Sequence, residues 1–267
     1  MIINFRRTDD NFYKEKELIL PIVDLAFENE KYVGIVCEVL NLFYSYSEDI
    51  VNKITKMLKS LEFRMNPEEI SNYRMLSKKI VDFYWEVVDD EFGKQARAFD
   101  QDLYYKQHLQ YSDMRLNRYR GLLFENLLIR LVQDRFEGEL FETGCQVYIN
   151  NCRVIARYGK GNSEHKETID VAGWVSKMSY GEFYECKISP LGFKAENYKY
   201  FVELISGLKQ NKVINYIVGF VSADATEKLK AQKKCIEGRC SNCNETFEVI
   251  GRENLYKTKF YRVPEIA

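Results

Sequence analysis

Glycine is absent between Gly34 and Gly93, and apolar residues recur there at three- and four-residue spacing, as in Tyr32, Ile35, Val36, Val39, Leu40 and Phe43. A stretch without that punctuation, with that period, reads as helical. The seven cysteines are odd in number and scattered from Cys37 to Cys243. That excludes the dense, even framework of a secreted disulfide scaffold and leads us to expect a reducing, cytoplasmic compartment. No apolar run reaches the roughly 18 residues of a membrane span, and the opening MIINFRRTDDNFYKEKEL is too charged for a signal peptide. A soluble chain with no membrane partner is expected. Net charge is also lacking, with 39 basic against 40 acidic residues. The chain as a whole therefore exerts no long-range pull on nucleic acid, and any such binding must come from local patches.

What is present is 46% hydrophobic residues in 267, ample for a packed core. Asn66-Pro67-Glu68-Glu69 is a helix start, with a capping side chain, a first-turn proline and two carboxylates at the positive end of the dipole. The pattern predicts a helix from there to about Asp90, then helices over Lys94–Gln110 and Asp113–Phe136, and residues 1–112 are taken as a helical domain. Its aromatic stripe, including Phe43, Tyr44, Phe83, Tyr84 and Trp85, suits a core, a homodimer interface or a partner-protein surface. From Gly144 the pattern changes to short β-rich runs, Gln146–Ile149, Arg153–Arg157, Thr168–Val175 and Glu182–Ser189, one of which is left open as a strand. A helix over Ala195–Leu208 and a buried strand over Val213–Val221 follow. The order from Asp113 is helix, three strands, helix, strand, and residues 225–267 form a basic extension. The fold class is α+β.

Asp170 is an isolated charge in the apolar strand Thr168–Val175, and in Phe183-Tyr184-Glu185-Cys186-Lys187-Ile188 an acid and a base stand two positions apart. Side chains alternate along a strand, so Glu185 and Lys187 share a face. If the strands form a hairpin with an even-numbered loop at Lys177-Met178, Ser176 faces Ser179 and Asp170 faces Glu185. Two carboxylates so placed repel unless a cation lies between them, and oxygen ligands select a hard ion, Mg²⁺ first and Mn²⁺ next. Glu125 adds a third acid on a helix face with Gly121, Leu122, Leu128 and Ile129. Such a carboxylate needs a partner, either a metal ion or an arginine such as Arg118.

A helix with a glutamate, a strand aspartate, a glutamate-x-lysine strand, then a helix and a strand resemble the PD-(D/E)xK nuclease superfamily. The resemblance covers about residues 113–224 and departs from the family's name at Ile169, where proline would precede the aspartate. It implies a restriction endonuclease-like αβββαβ core with a mixed central sheet, following the helical domain. By position, Asp170 and Glu185 resemble the metal ligands, with the Cys186 backbone carbonyl as a further one, Lys187 the conserved lysine and Glu125 the frequent first-helix acid. The implied activity is Mg²⁺-dependent endonuclease cleavage of DNA, in restriction or antiviral defence. The alternatives are a partner-activated or non-catalytic subunit that binds nucleic acid or protein, and an RNA-processing nuclease.

Further candidates are weighed beside these. His165, in the polar run before the Asp170 strand, and Lys194, Asn197, Tyr198 and Lys199, which open the next helix, are candidate substrate contacts or solvated surface. Cys235, Cys240 and Cys243 have the spacing of part of a zinc knuckle. No histidine follows them, so a fourth ligand must come from Cys145, Cys152 or His165, or the thiols are simply reduced. Arg115, Arg118, Arg120, Arg130 and Arg135 are read either as a phosphate cradle or as partners of nearby acids.

Overall fold

The computed structural model describes residues 2–8, 13–44, 48–88, 101–159, 164–239 and 245–264. It divides into two compact units, one formed by Met1–Asn11 with Leu128–Ala267 and the other by Phe12–Leu127. Both expected boundaries move. The chain start belongs with the sheet rather than with a helical domain over residues 1–112, and the extension from residue 225 belongs to the sheet unit as well.

The Phe12–Leu127 unit is helical, with α1 (Tyr13–Phe27), α2 (Glu30–Leu42), α3 (Glu48–Glu62), α4 (Ile70–Val88) and most of α5 (Gln101–Val132). Asn29 caps α2 by accepting a hydrogen bond from the Lys31 N–H, satisfying one of the donors that the first turn leaves open. Glu69 accepts from the Asn66 N–H at 3.2 Å and pairs with Lys31 at 2.9 Å, tying the α4 start to α2. Phe43 and Tyr84 are buried and stack at 4.7 Å, whereas Tyr44 and Trp85 of the same stripe are exposed. The helices expected over 94–110 and 113–136 differ from what is seen. One helix runs from Gln101 to Val132, because Tyr111 and Ser112, between the two expected helices, are neither glycine nor proline, and a 3-10 turn over Gln133–Phe136 ends it. Residues 89–100 lie outside the described ones.

The other unit is built on a mixed sheet in the order β1-β2-β6-β7-β8-β9. Its strands are β1 (Ile3–Arg7), β2 (Leu140–Ile149), β6 (Ile169–Val175), β7 (Tyr180–Lys187), β8 (Asn215–Ser222) and β9 (Glu248–Ile250). A short β3 (Cys152–Arg153) pairs with β2, and β4 (Ala156–Tyr158) with β5 (Glu164–Lys166) makes a separate ribbon. β2, β6 and β7 are antiparallel neighbours, while β7 pairs with β8 in parallel, so the chain must cross over between them. The crossover is α6 (Ala195–Gln210). Its apolar residues Tyr198, Phe201, Leu204, Ile205 and Leu208 bury against Ala172, Trp174, Phe183 and Phe220 of the sheet. The opposite sheet face holds Phe136, Val175 and Tyr180. The extension forms α7 (Thr226–Glu237), β9 and the short α8 (Arg252–Leu255), and it stays with the sheet because β9 adds in parallel to β8. Among the described residues, no helix is long and apolar enough to cross a membrane.

Candidate active site

The β6–β7 hairpin turns through Lys177 and Met178, with the Ser179 N–H donating to the Ser176 carbonyl at 3.3 Å. Its register, Val175↔Tyr180 to Val171↔Tyr184, is the one the even-numbered loop predicts. The next step would place Asp170 across from Glu185, and there the ladder stops. In place of a backbone acceptor, the Cys186 N–H donates to Asp170 Oδ2 at 2.6 Å. On the other side of β6 the pairing skips from Thr143↔Val171 to Cys145↔Ile169 with the register unchanged. Gly144, in the left-handed region at φ +52, stands at the missing step, and no side chain faces Asp170 from β2.

Glu185 and Lys187 occupy the α6 face, as strand alternation requires. Lys187 Nζ lies 2.9 Å from Glu185 Oε1 and 3.2 Å from Asp170 Oδ2, so one ammonium joins both acids. Burial alone would lower the Lys187 pKa, but the Asp170 and Glu185 charges outweigh it and raise it, keeping the amine protonated. Glu185 is 1% exposed, and burial, then the Asp170 charge, raises its pKa.

Two residues that the sequence did not single out, or only weakly, complete the cluster. Asn197 is buried in the first turn of α6, where its Oδ1 accepts from the Lys194 N–H at 2.9 Å and its Nδ2 donates to Glu185 Oε1 at 2.7 Å. Lys166, at the end of β5, places Nζ 3.1 Å from both Glu185 oxygens and donates a hydrogen bond to Oε1. Its position over the Tyr200 ring, 5.8 Å from the centroid, adds a cation–π contact. Oε2 of Glu185 is buried and accepts no hydrogen bond; the Lys166 ammonium lies 3.1 Å from it. Lys166 went unnoticed because Glu164-His165-Lys166-Glu167 reads as a solvated charge run. The cluster opens into a cleft of about 510 Å³ lined by Tyr158, His165, Lys166, Glu185, Lys187 and Lys194, among others.

The remaining candidates divide. His165 is not in a loop but on β5, across from Arg157, exposed and 3.3 Å from Glu167. Lys194 is exposed at the cleft, whereas Lys199 is half-buried on α6 and outside the lining. Tyr198 is buried against Phe247 in the core and is no substrate contact. Glu125 is half-buried on α5, in the Phe12–Leu127 unit. Cys235 is exposed on α7, and Cys240 and Cys243 lie outside the described residues. Two of the five arginines are not available to phosphate. Arg120 is buried, donates twice to the Leu40 carbonyl and has its pKa pushed down to about 10 by burial. Arg135 is buried in an ion pair with Glu182.

Among the described residues, no group of three or more His, Cys, Asp and Glu side chains is placed to hold a metal ion. Asp170 and Glu185 supply two carboxylates, and the buried, hydrogen-bond-free Glu185 Oε2 is the atom that fits a hard cation. Lys166 and Lys187 balance the two negative charges as the cluster stands. No known family model matches the chain, and no curated protein matches it. The functional reading rests on this geometry.

Proposed function

We propose that the chain is a divalent-metal-dependent phosphodiesterase, an endonuclease acting on DNA, with a restriction endonuclease-like core. The observation that carries the reading is the meeting of Asp170, Glu185 and Lys187 where the β6–β7 ladder stops, beside an open cleft. The core is read from β2, β6 and β7 as antiparallel neighbours, the α6 crossover, and β8 parallel to β7.

Asp170 and Glu185 would hold Mg²⁺ or Mn²⁺, which when bound acidifies a water and polarises a phosphate oxygen. The Cys186 N–H fixes Asp170, and Asn197 fixes Glu185, so both carboxylates are oriented before substrate arrives. Lys187, held protonated by its acid neighbours, serves as a hydrogen-bond donor and not as a base. It orients the attacking water and offsets negative charge growing on the phosphorus oxygens. Lys194 and His165, which line the cleft, would contact the flanking phosphates.

A second reading, a nucleic-acid or protein-binding subunit with a silent site, is favoured by one observation: the two lysines already balance the two acids. The test incubates the purified protein with single- and double-stranded DNA and RNA in Mg²⁺, Mn²⁺ or EDTA, beside Asp170→Asn and Lys187→Ala. Metal-dependent cleavage falling at least about 100-fold in both variants is expected. Cleavage that both variants retain overturns the site, faster cleavage of RNA than of DNA moves the substrate class, and binding without cleavage selects the second reading.

A further inference from the structure

Glu185 has three polar partners, and only one of them, Lys187, is shared with Asp170. Lys166 is different in origin, because it comes from the β4–β5 ribbon, which is hydrogen-bonded apart from the main sheet. Its side chain is 15% exposed, and its ammonium is equidistant from the two Glu185 oxygens. That arrangement sets a positive charge against Oε2, the oxygen that lacks any hydrogen bond and is therefore the one open to a cation. An ammonium 3.1 Å away occupies the same electrostatic position a divalent ion would take.

We propose that Lys166 is a positioning residue that competes with the metal ion for Glu185, holding the carboxylate in place while the site is empty and weakening its affinity for a cation. The inference rests on the metal-site reading above. In the empty site Lys166 joins Lys187 in balancing a fully buried carboxylate, which would be costly without positive charge beside it. For a cation to reach Oε2 the ammonium must retreat along the ribbon edge into the cleft, whose lining already includes Lys166. There it adds a positive charge beside Lys194, where a substrate phosphate would lie.

A merely structural role and a competing role differ in sign. If Lys166 only braces Glu185, its removal loosens the carboxylate and weakens metal binding. If it competes, removal strengthens binding, because a repelling unit charge beside the ion is gone. The experiment measures Mn²⁺ binding to the full chain by calorimetry and by the electron paramagnetic resonance signal of free Mn²⁺. It compares wild type, Lys166→Met, Lys166→Arg and Asp170→Asn, with the circular dichroism of each variant recorded to identify those that fold. Lys166→Met is expected to bind Mn²⁺ about tenfold more tightly than wild type, and Lys166→Arg to stay within about threefold of wild type. Lys166→Gln replaces the methionine variant if the latter does not fold. Unchanged or weaker binding in the neutral variants overturns the competition while leaving the metal site standing, provided wild type binds Mn²⁺ and Asp170→Asn does not. If wild type shows no binding and the neutral variants do, the competition is supported in its strongest form. Absence of binding in all of them overturns both the competition and the metal reading.

Discussion

Glu182 and Glu185 are three positions apart on β7, equally buried at 1% exposure, and on opposite faces of the sheet, yet they are treated in opposite ways. Glu182 receives two hydrogen bonds from the Arg135 guanidinium at 2.6 and 2.7 Å, and one each from the Tyr180 and Tyr184 hydroxyls at 2.6 and 2.8 Å. Burial and the Glu182 charge raise both tyrosine pKa values, so the hydroxyls remain donors. Arg135 also donates to the Thr258 carbonyl at 2.8 Å, fastening the C-terminal segment to the sheet. Glu185 keeps an oxygen without a hydrogen bond, and its partner Lys187, 32% exposed, lines a cleft. A carboxylate saturated by a rigid planar fork and two phenols has nothing left to offer a ligand. One held by flexible ammoniums, with an open oxygen, can exchange them for something else. The difference separates a structural acid from a candidate catalytic one where burial alone does not.

The largest expected effect is on the saturated side. Glu182→Gln keeps the shape but leaves the Arg135 charge, 9% exposed, without its counter-ion. It should cost about 3–5 kcal/mol, read as a fall in the urea midpoint at constant slope. A loss below about 1 kcal/mol would show that the ion pair is not what secures this face.

Gly173 sits across from Glu182, and a β-carbon there would lie 2.5 Å from the Phe136 ring. That ring is stacked with Phe141 at 5.8 Å and Tyr180 at 6.5 Å, so it has little room to yield. Gly173→Ala should therefore destabilise by about 1–3 kcal/mol. A melting temperature equal to wild type would mean the stack is looser than its geometry indicates.

The open side should show the reverse balance, with a small effect on the fold. Asp170→Asn retains an acceptor for the Cys186 N–H and removes a charge from a cluster that burial penalises. Its unfolding free energy should stay within about 1 kcal/mol of wild type, although the site assigned to it is lost. A collapse in stability comparable to Glu182→Gln would erase the contrast and make Asp170 a structural acid too.

This contrast also marks what the sequence could reveal. Asp170, Glu185 and Lys187 stand out because an isolated charge in an apolar strand is conspicuous, and a two-residue loop fixes the hairpin register without any tertiary information. Lys166 does not stand out, and Arg135 does so only as one of five candidate arginines, since each sits in a locally polar run and acquires its meaning from a partner distant in sequence. β1 was hidden for a related reason. Of Ile3–Arg7 only Ile3 is buried, so an edge strand held by its ladder to β2 leaves almost no alternating pattern. The β9 pairing likewise lacks a distinctive local signal and is set by its neighbour β8.

The smallest effect tests how far the Glu182 charge reaches. Glu248 on β9 has its pKa raised by burial and by Glu182, while a hydrogen bond from Tyr261 at 3.4 Å works in the lowering direction. A carboxyl whose folded pKa lies above its unfolded value contributes stability below the ordinary 4.5, and that contribution is lost as pH rises through the folded value. At pH 7 Glu248→Gln should therefore be slightly more stable than wild type, by under about 0.5 kcal/mol, because the carboxylate is only partly desolvated and its residue is open enough for water to screen the charge. The gain should shrink as the pH falls through the folded value and vanish below 4.5, where wild type is protonated in both states. It should also shrink at pH 7 in a Glu182→Gln background, where the repelling charge is gone, so a double-mutant cycle in urea measures the coupling directly. A gain that grows on acidification, or that is unchanged by Glu182→Gln, would confine the influence of Glu182 to Arg135 and its two tyrosines.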